Sequence, residues 1–142
     1  MHRDIKGGNV LITREGVAKL ADLGASRVYN DPDMTSNITS AQGSTFWCAP
    51  EVIQGQGYGR KADIWSLGCT LIEMFTGKHP WPELTGVYCP AIHIVKVGPT
   101  GPPRPPAISP EALDFINCCL RCSVVLSAPP VSPAAVSSET PL

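Results

Sequence analysis

Three side chains near one end of this 142-residue chain have the types and spacing to do chemistry together. They are the Asp4 carboxylate, the Lys6 ammonium and the Asn9 carboxamide, in the run His2-Arg3-Asp4-Ile5-Lys6-Gly7-Gly8-Asn9. Moving a phosphoryl group is mainly a matter of positioning and charge neutralisation. Asp4 can serve as the base that faces an acceptor hydroxyl, and Lys6 can neutralise the moving phosphate. Asn9 offers a neutral oxygen and Asp22 a charged one, a pair suited to Mg²⁺ bound between protein and nucleotide phosphates without a dedicated cage. Taken singly, an Asp after an Arg reads as a surface ion pair and an Asn before an apolar run as a turn residue. The set, in this order, is what points to chemistry.

Positioning these groups requires elements that the pattern also predicts. Asn9 to Ile12 and Val17 to Leu20 are short apolar runs joined by Thr13-Arg14-Glu15-Gly16, which predicts a small hairpin that returns Asp22 beside Asp4. From Ala25 to Gln42 the chain is polar and aperiodic, which predicts a mobile loop. Ala62 to Thr76 is apolar on nearly every face apart from a narrow polar edge, which predicts a helix in a core. Ser109 followed by Pro110 and Glu111 predicts a helix start, with a capping hydroxyl and Pro in the first helical position.

Composition sets outer bounds. The chain is long enough for one core, and 11 basic against 12 acidic residues leave a formal net charge of −1. That balance gives no electrostatic reason to expect nucleic acid or an anionic membrane as partner. No stretch approaches the ~20 apolar residues of a membrane span, and the chain does not open on a basic-then-apolar signal segment. The six cysteines include one C-x-x-C, Cys119 to Cys122, with no partner pair, so they are expected as reduced thiols in a cytoplasmic protein.

The opening run reads H-R-D-x-K-x-x-N, and Asp22-Leu23-Gly24, Ala49-Pro50-Glu51 and Asp63-Ile64-Trp65-Ser66-Leu67-Gly68 follow it in order. These motifs resemble protein kinases. The runs Ala62 to Met74 and Thr76 to Trp81, Ala91 to Ile94, the prolines of Pro102 to Pro106, and Leu113 to Ile116 with Cys119-Leu120 resemble the mitogen-activated protein kinase kinase kinases. The resemblance covers about residues 2 to 121. It implies an α+β protein-kinase-like fold, present as a partial, mainly helical C-terminal lobe with a short β-hairpin. It implies ATP and Mg²⁺ as cofactors, Asp4 and Lys6 as catalytic residues, and Asn9 and Asp22 as metal ligands. Lys6 fits the serine/threonine pattern. Ser44 falls on a family Thr whose hydroxyl reaches both Asp4 and Lys6.

Further roles follow from the same resemblance. Thr35, Thr39 and Ser40 are candidate phosphorylation sites in the polar loop, and Arg3 is the residue that would pair with the phosphate. His2, Leu23, Glu51 and Asp63 are structural: His2 and Leu23 fill apolar slots, Glu51 meets a buried Arg, and Asp63 accepts hydrogen bonds from the backbone around His2 and Arg3. The family's Gly-rich loop, its β3 Lys and the Glu paired with that Lys are expected upstream of Met1. Ser127 stands where the Arg partner of Glu51 is expected. The expected organisation is a partial kinase domain over 1–122, from the catalytic loop to a late helix, and a disordered or non-native Ser/Pro/Ala-rich tail over 123–142. The expected function is transfer of the ATP γ-phosphate to a protein hydroxyl, with a downstream kinase as substrate and no nucleic acid or membrane partner. This stretch alone is expected to be inactive. The alternatives are a non-catalytic kinase-lobe binding module and a truncated gene model.

Overall fold

The computed structural model describes residues 1–26, 45–55, 59–84 and 89–124. In chain order these form a hairpin of β1 (Val10–Ile12) and β2 (Ala18–Leu20), then α1 (Pro50–Ile53), α2 (Lys61–Thr76), α3 (Pro90–Val97) and α4 (Pro110–Val124). Single 3₁₀ turns at Gly7–Asn9, Leu23–Ala25, Thr45–Trp47 and Gly98–Thr100 connect them. The fold is that of a mainly helical lobe with one two-stranded antiparallel sheet. Helix α4 continues past the expected domain end at 122, and the tail from 125 onward lies outside the described residues.

The hairpin is shorter than the apolar runs suggest. Val10 pairs with Leu20, Leu11 with Lys19 and Ile12 with Ala18. Gly16, at φ 80°, supplies the left-handed residue that closes the turn, while Thr13 N–H donates to the Val17 carbonyl at 3.0 Å and Val17 N–H to the Thr13 hydroxyl at 3.2 Å. Beyond the strands, Ala21 N–H donates to the Asn9 carbonyl at 2.9 Å. This last bond sets the chain leading to Asp22 directly beside the chain leading from Asp4.

Helix α2 is the centre of the packing. Trp65, Cys69 and Ile72 join Ala49, Trp81, Ile94, Ile116 and Leu120 in the core. Two hydroxyls inside the helix return to carbonyls one turn back: Thr70 to Ser66 at 2.8 Å and Thr76 to Ile72 at 2.8 Å. Gly77, at φ 67°, ends the helix by donating to the Glu73 carbonyl at 2.8 Å. Only part of the expected apolar circumference is covered, however. Met74 is 70% exposed, and Ile64 and Phe75 are also exposed, because no described element packs over that side. Glu51, in the first turn of α1, is 5% exposed and pairs with no side chain among the described residues.

Helix α4 starts as the sequence predicts: the Ser109 hydroxyl accepts from Ala112 N–H at 3.2 Å, and Pro110 occupies the first helical position. It lies against α2 where Gly68 leaves room. A Cβ on Gly68 would sit 2.9 Å from the Cβ of Cys119 and 3.2 Å from Leu120. The close approach of the two helices therefore depends on the absence of a side chain at 68. Gly68→Ala should force α2 and α4 apart and cost ~1–3 kcal/mol, the usual range for overpacking a core. Chemical denaturation of the variant against the parent chain checks this, and equal midpoints would show that the crossing can yield.

Candidate functional site

The segment Met1 to Asn9 has no regular secondary structure to hold it apart from one 3₁₀ turn, so its shape comes from side chains elsewhere. Asp63, in the first turn of α2, accepts His2 N–H at one oxygen and Arg3 N–H at the other, both at 2.8 Å. Arg3 is held at φ 73°, a left-handed conformation that costs a residue with a side chain of order 1 kcal/mol or more. The two charge-assisted bonds to Asp63 offset that cost. His2 is buried, its Nδ1 accepting from Asp4 N–H at 3.4 Å and its Nε2 lying 3.1 Å from the Ala21 carbonyl. Because a carbonyl can only accept, Nε2 carries the proton and the imidazole is the neutral tautomer. His2 thus acts as a spacer between the loop and the end of β2.

Within this frame the predicted residues converge. Asp4 Oδ2 accepts Lys6 Nζ at 2.8 Å and Asn9 Nδ2 at 2.9 Å. Asn9 Nδ2 also donates to the Asp4 carbonyl at 2.7 Å. Both partners of that nitrogen are acceptors, which fixes the orientation of the amide and identifies Asn9 Oδ1 as its acceptor oxygen. Asp22 caps the next 3₁₀ turn at φ 61°, with Oδ1 accepting Gly24 N–H at 3.3 Å. Arg3 and Asp22 are the two non-glycine residues with positive φ among the described residues, and both flank this site. The donor set is one carboxamide oxygen and one carboxylate, hard oxygens that fit a Mg²⁺ ion shared with phosphates and water. No cluster of three or more His, Cys, Asp or Glu side chains among the described residues could form a protein-only metal cage.

A second segment faces the loop. Thr45–Trp47 forms a 3₁₀ turn whose backbone is tied down twice: Ser66 Oγ donates to the Trp47 carbonyl at 2.8 Å, and Trp81 Nε1 to the Phe46 carbonyl at 3.0 Å. Phe46 stacks on His79 with ring centroids 4.2 Å apart. Glu73, one of the residues that the sequence pattern did not single out, joins this segment to the loop: its Oε2 accepts Gly7 N–H at 3.0 Å and Trp47 Nε1 at 2.9 Å. Its only signal in the sequence is its place on the polar edge of α2.

Other expectations fare differently. Leu23 does not fill an apolar slot: it is 68% exposed, since no described residue packs over it. Ser44, Thr35, Thr39 and Ser40 lie outside the described residues. No helix among the described residues is long and apolar enough to cross a membrane.

Comparison with known proteins gives this arrangement its context. A family model described as the protein kinase domain matches residues 1–125. Mitogen-activated protein kinase kinase kinase 3 of Arabidopsis thaliana is 46% identical over 121 residues, which is 85% of this chain and 18% of that protein. Mitogen-activated protein kinase kinase kinase A of Dictyostelium discoideum is 43% identical over 121 residues, 85% of this chain and 12% of that protein. The mouse mitogen-activated protein kinase kinase kinase 3 is 47% identical over 118 residues, 82% of this chain and 18% of that protein. The chain therefore spans less than a fifth of the length of these relatives.

Cys48, immediately after Trp47, has a titration set by this site. Burial pushes its thiol up to about 11 from an ordinary 9.0, the Asp4 carboxylate adds to the rise, and Lys6 opposes it. Burial also raises the Cys69 thiol well above its ordinary range. In both cases the folded chain holds its proton where the unfolded chain releases it. The stability contributed is complete below pH 9 and is lost as pH rises toward the folded value, at ~1.4 kcal/mol per pH unit per thiol. Denaturation between pH 8.5 and 10.5 should show this decline, and Cys48→Val should flatten it by one thiol's share. An unchanged slope in Cys48→Val would mean that the thiol reaches solvent.

Proposed function

The chain belongs to the protein kinase domain family, and we propose that it carries the transfer centre of a serine/threonine protein kinase, with Asp4 as the base. The observation that supports this most is the convergence on Asp4 Oδ2 of Lys6 Nζ at 2.8 Å and Asn9 Nδ2 at 2.9 Å. A Ser or Thr hydroxyl seated against the Asp4 carboxylate gives up its proton to that carboxylate as its oxygen bonds to the γ-phosphorus, while the bond from that phosphorus to the β-phosphate oxygen breaks and ADP leaves. Lys6, already beside Asp4, neutralises the charge that gathers on the moving phosphoryl group. Asn9 Oδ1 and the Asp22 carboxylate would hold Mg²⁺, which would supply charge shielding for the phosphates of ATP. Asp63 and His2 fix the loop, Arg3 is the partner for a phosphorylated Thr35, Thr39 or Ser40, and Ser44 supports the acceptor seat.

Likeness to relatives named as mitogen-activated protein kinase kinase kinases supports a role in such a cascade, with another protein kinase as the substrate class. Residues 1–142 do not include the family's glycine-rich loop and its lysine, the groups that grip the α- and β-phosphates. A catalytic set misplaced by about 1 Å loses ~100-fold in rate. The activity therefore belongs to these residues joined to a nucleotide-binding half.

A fusion that supplies a kinase kinase kinase N-terminal lobe before His2 and the final Arg-bearing helices after Leu120 tests this. It should transfer phosphate from Mg-ATP to Ser and Thr acceptors in preference to Tyr. Asp4→Asn should lower kcat by at least ~100-fold, the scale of a lost general base, and Asp22→Asn should abolish the Mg²⁺ dependence together with activity. A folded fusion that binds Mg-ATP without transferring, or that transfers equally well with Asn at 4, would favour a non-catalytic binding module instead.

A further inference from the structure

Glu73 makes contacts that a helix-surface carboxylate would not need. It is half-buried on α2, and a single oxygen, Oε2, receives both Gly7 N–H at 3.0 Å and the Trp47 indole at 2.9 Å. Gly7 follows Lys6 in the catalytic loop, and Trp47 ends the turn that faces that loop and leads into Cys48. One atom therefore connects two segments that are otherwise attached to α2 separately, the loop through Asp63 and the turn through Ser66. Both donors are neutral, so the carboxylate charge strengthens both bonds at once.

The identity of residue 7 is part of this tie. A Cβ at Gly7 would sit 2.8 Å from Glu73 Oε2 and 2.9 Å from its carboxyl carbon. Proline at 7 would remove the donor altogether. As it stands the contact uses an N–H and the room left by a missing Cβ, directly beside the lysine that reaches Asp4; a side chain there would have to displace the end of Glu73.

We propose that Glu73 is a positioning residue, which holds the Asp4–Lys6 loop and the Thr45–Trp47 turn in one register so that the base and the segment facing it are set by a single carboxylate. The inference rests on the kinase reading above and goes beyond it in assigning Glu73, Gly7 and Trp47 to one unit. Its consequence is kinetic. Loosening the tie displaces the base and the facing turn relative to each other, which penalises the transfer step, while the nucleotide contacts made by the other half of the enzyme stay as they were.

The test uses the completed fusion, with Mg-ATP and a Ser/Thr acceptor protein. Glu73→Gln keeps the shape and removes the charge; it should lower kcat ~10-fold or more, as expected of a displacement of under 1 Å, with KM for Mg-ATP unchanged. Gly7→Pro should act in the same direction. Trp47→Phe should also lower kcat, and Glu73→Gln combined with Trp47→Phe should lose no more than the worse single variant, because members of one unit are not additive. Met74→Ala, on the exposed side of α2, is the control and should leave kcat unchanged. In ¹⁵N spectra of the 142-residue chain, Glu73→Gln should move the Trp47 indole and Gly7 amide signals together and leave the Trp81 indole, bound to the Phe46 carbonyl, in place. Wild-type kcat in a folded Glu73→Gln fusion, or losses that multiply in the double variant, would overturn the proposal. Full transfer by Asp4→Asn would instead overturn the catalytic reading beneath it.

Discussion

The interaction on which the rest depends is the grip of the Asp63 carboxylate on two consecutive amides, His2 and Arg3, at 2.8 Å each. A loop of this length has no internal ladder to define it, and Arg3 sits in a backbone conformation that a free chain avoids. Two bonds to one ionised group supply what the loop lacks. They also fix its orientation, since a carboxylate that uses both oxygens on successive N–H groups permits little rotation about the contact. Asp4 is the next residue along the chain, so its carboxylate inherits its place from α2, the helix that contributes Trp65, Cys69 and Ile72 to the core.

The same helix anchors everything else that faces the loop. Asp63, Ser66 and Glu73 fall along one edge of α2, with Ser66 and Glu73 two turns apart on nearly the same line. Asp63 takes the loop, Ser66 takes the Trp47 carbonyl, and Glu73 takes one donor from each side. On another face of the helix, Gly68 meets Cys119 and Leu120 of α4. Helix α2 is thus a plate with a packed face and a hydrogen-bonding edge, and the loop that carries Asp4 sits on the edge. Apolar packing makes that edge rigid, and its polar atoms make the register specific.

Some of this was legible in the sequence. Asp4, Lys6 and Asn9 lie within six positions of one another, so local spacing was enough to foresee their convergence. The hairpin followed from two apolar runs and a Gly-bearing turn, and α4 from its Ser-Pro-Glu start. The polar edge of α2 could be seen as a pattern, but its use could not. Glu73 meets Gly7 across 66 positions of sequence, and no periodicity within α2 indicates which backbone will arrive beside it. Asp63 became interpretable only through the kinase resemblance. Leu23 failed for a related reason: hydrophobic character shows that a side chain seeks cover, yet its cover depends on which neighbours are present, and none of the described residues provides it. Helix α3 had no strong signal of its own, being a short helix that starts at a proline and places Ile94 into the core.

The loop from His2 to Asn9 is a passenger of α2, held by carboxylates rather than by its own conformational preference. Hydrogen–deuterium exchange of this chain with Asp63→Ala measures that most directly. Amides of residues 2–9 should lose their protection, while those inside α2 and α4 keep theirs and the variant remains folded. If residues 2–9 stay protected without the Asp63 carboxylate, the loop holds its own shape and the account is contradicted.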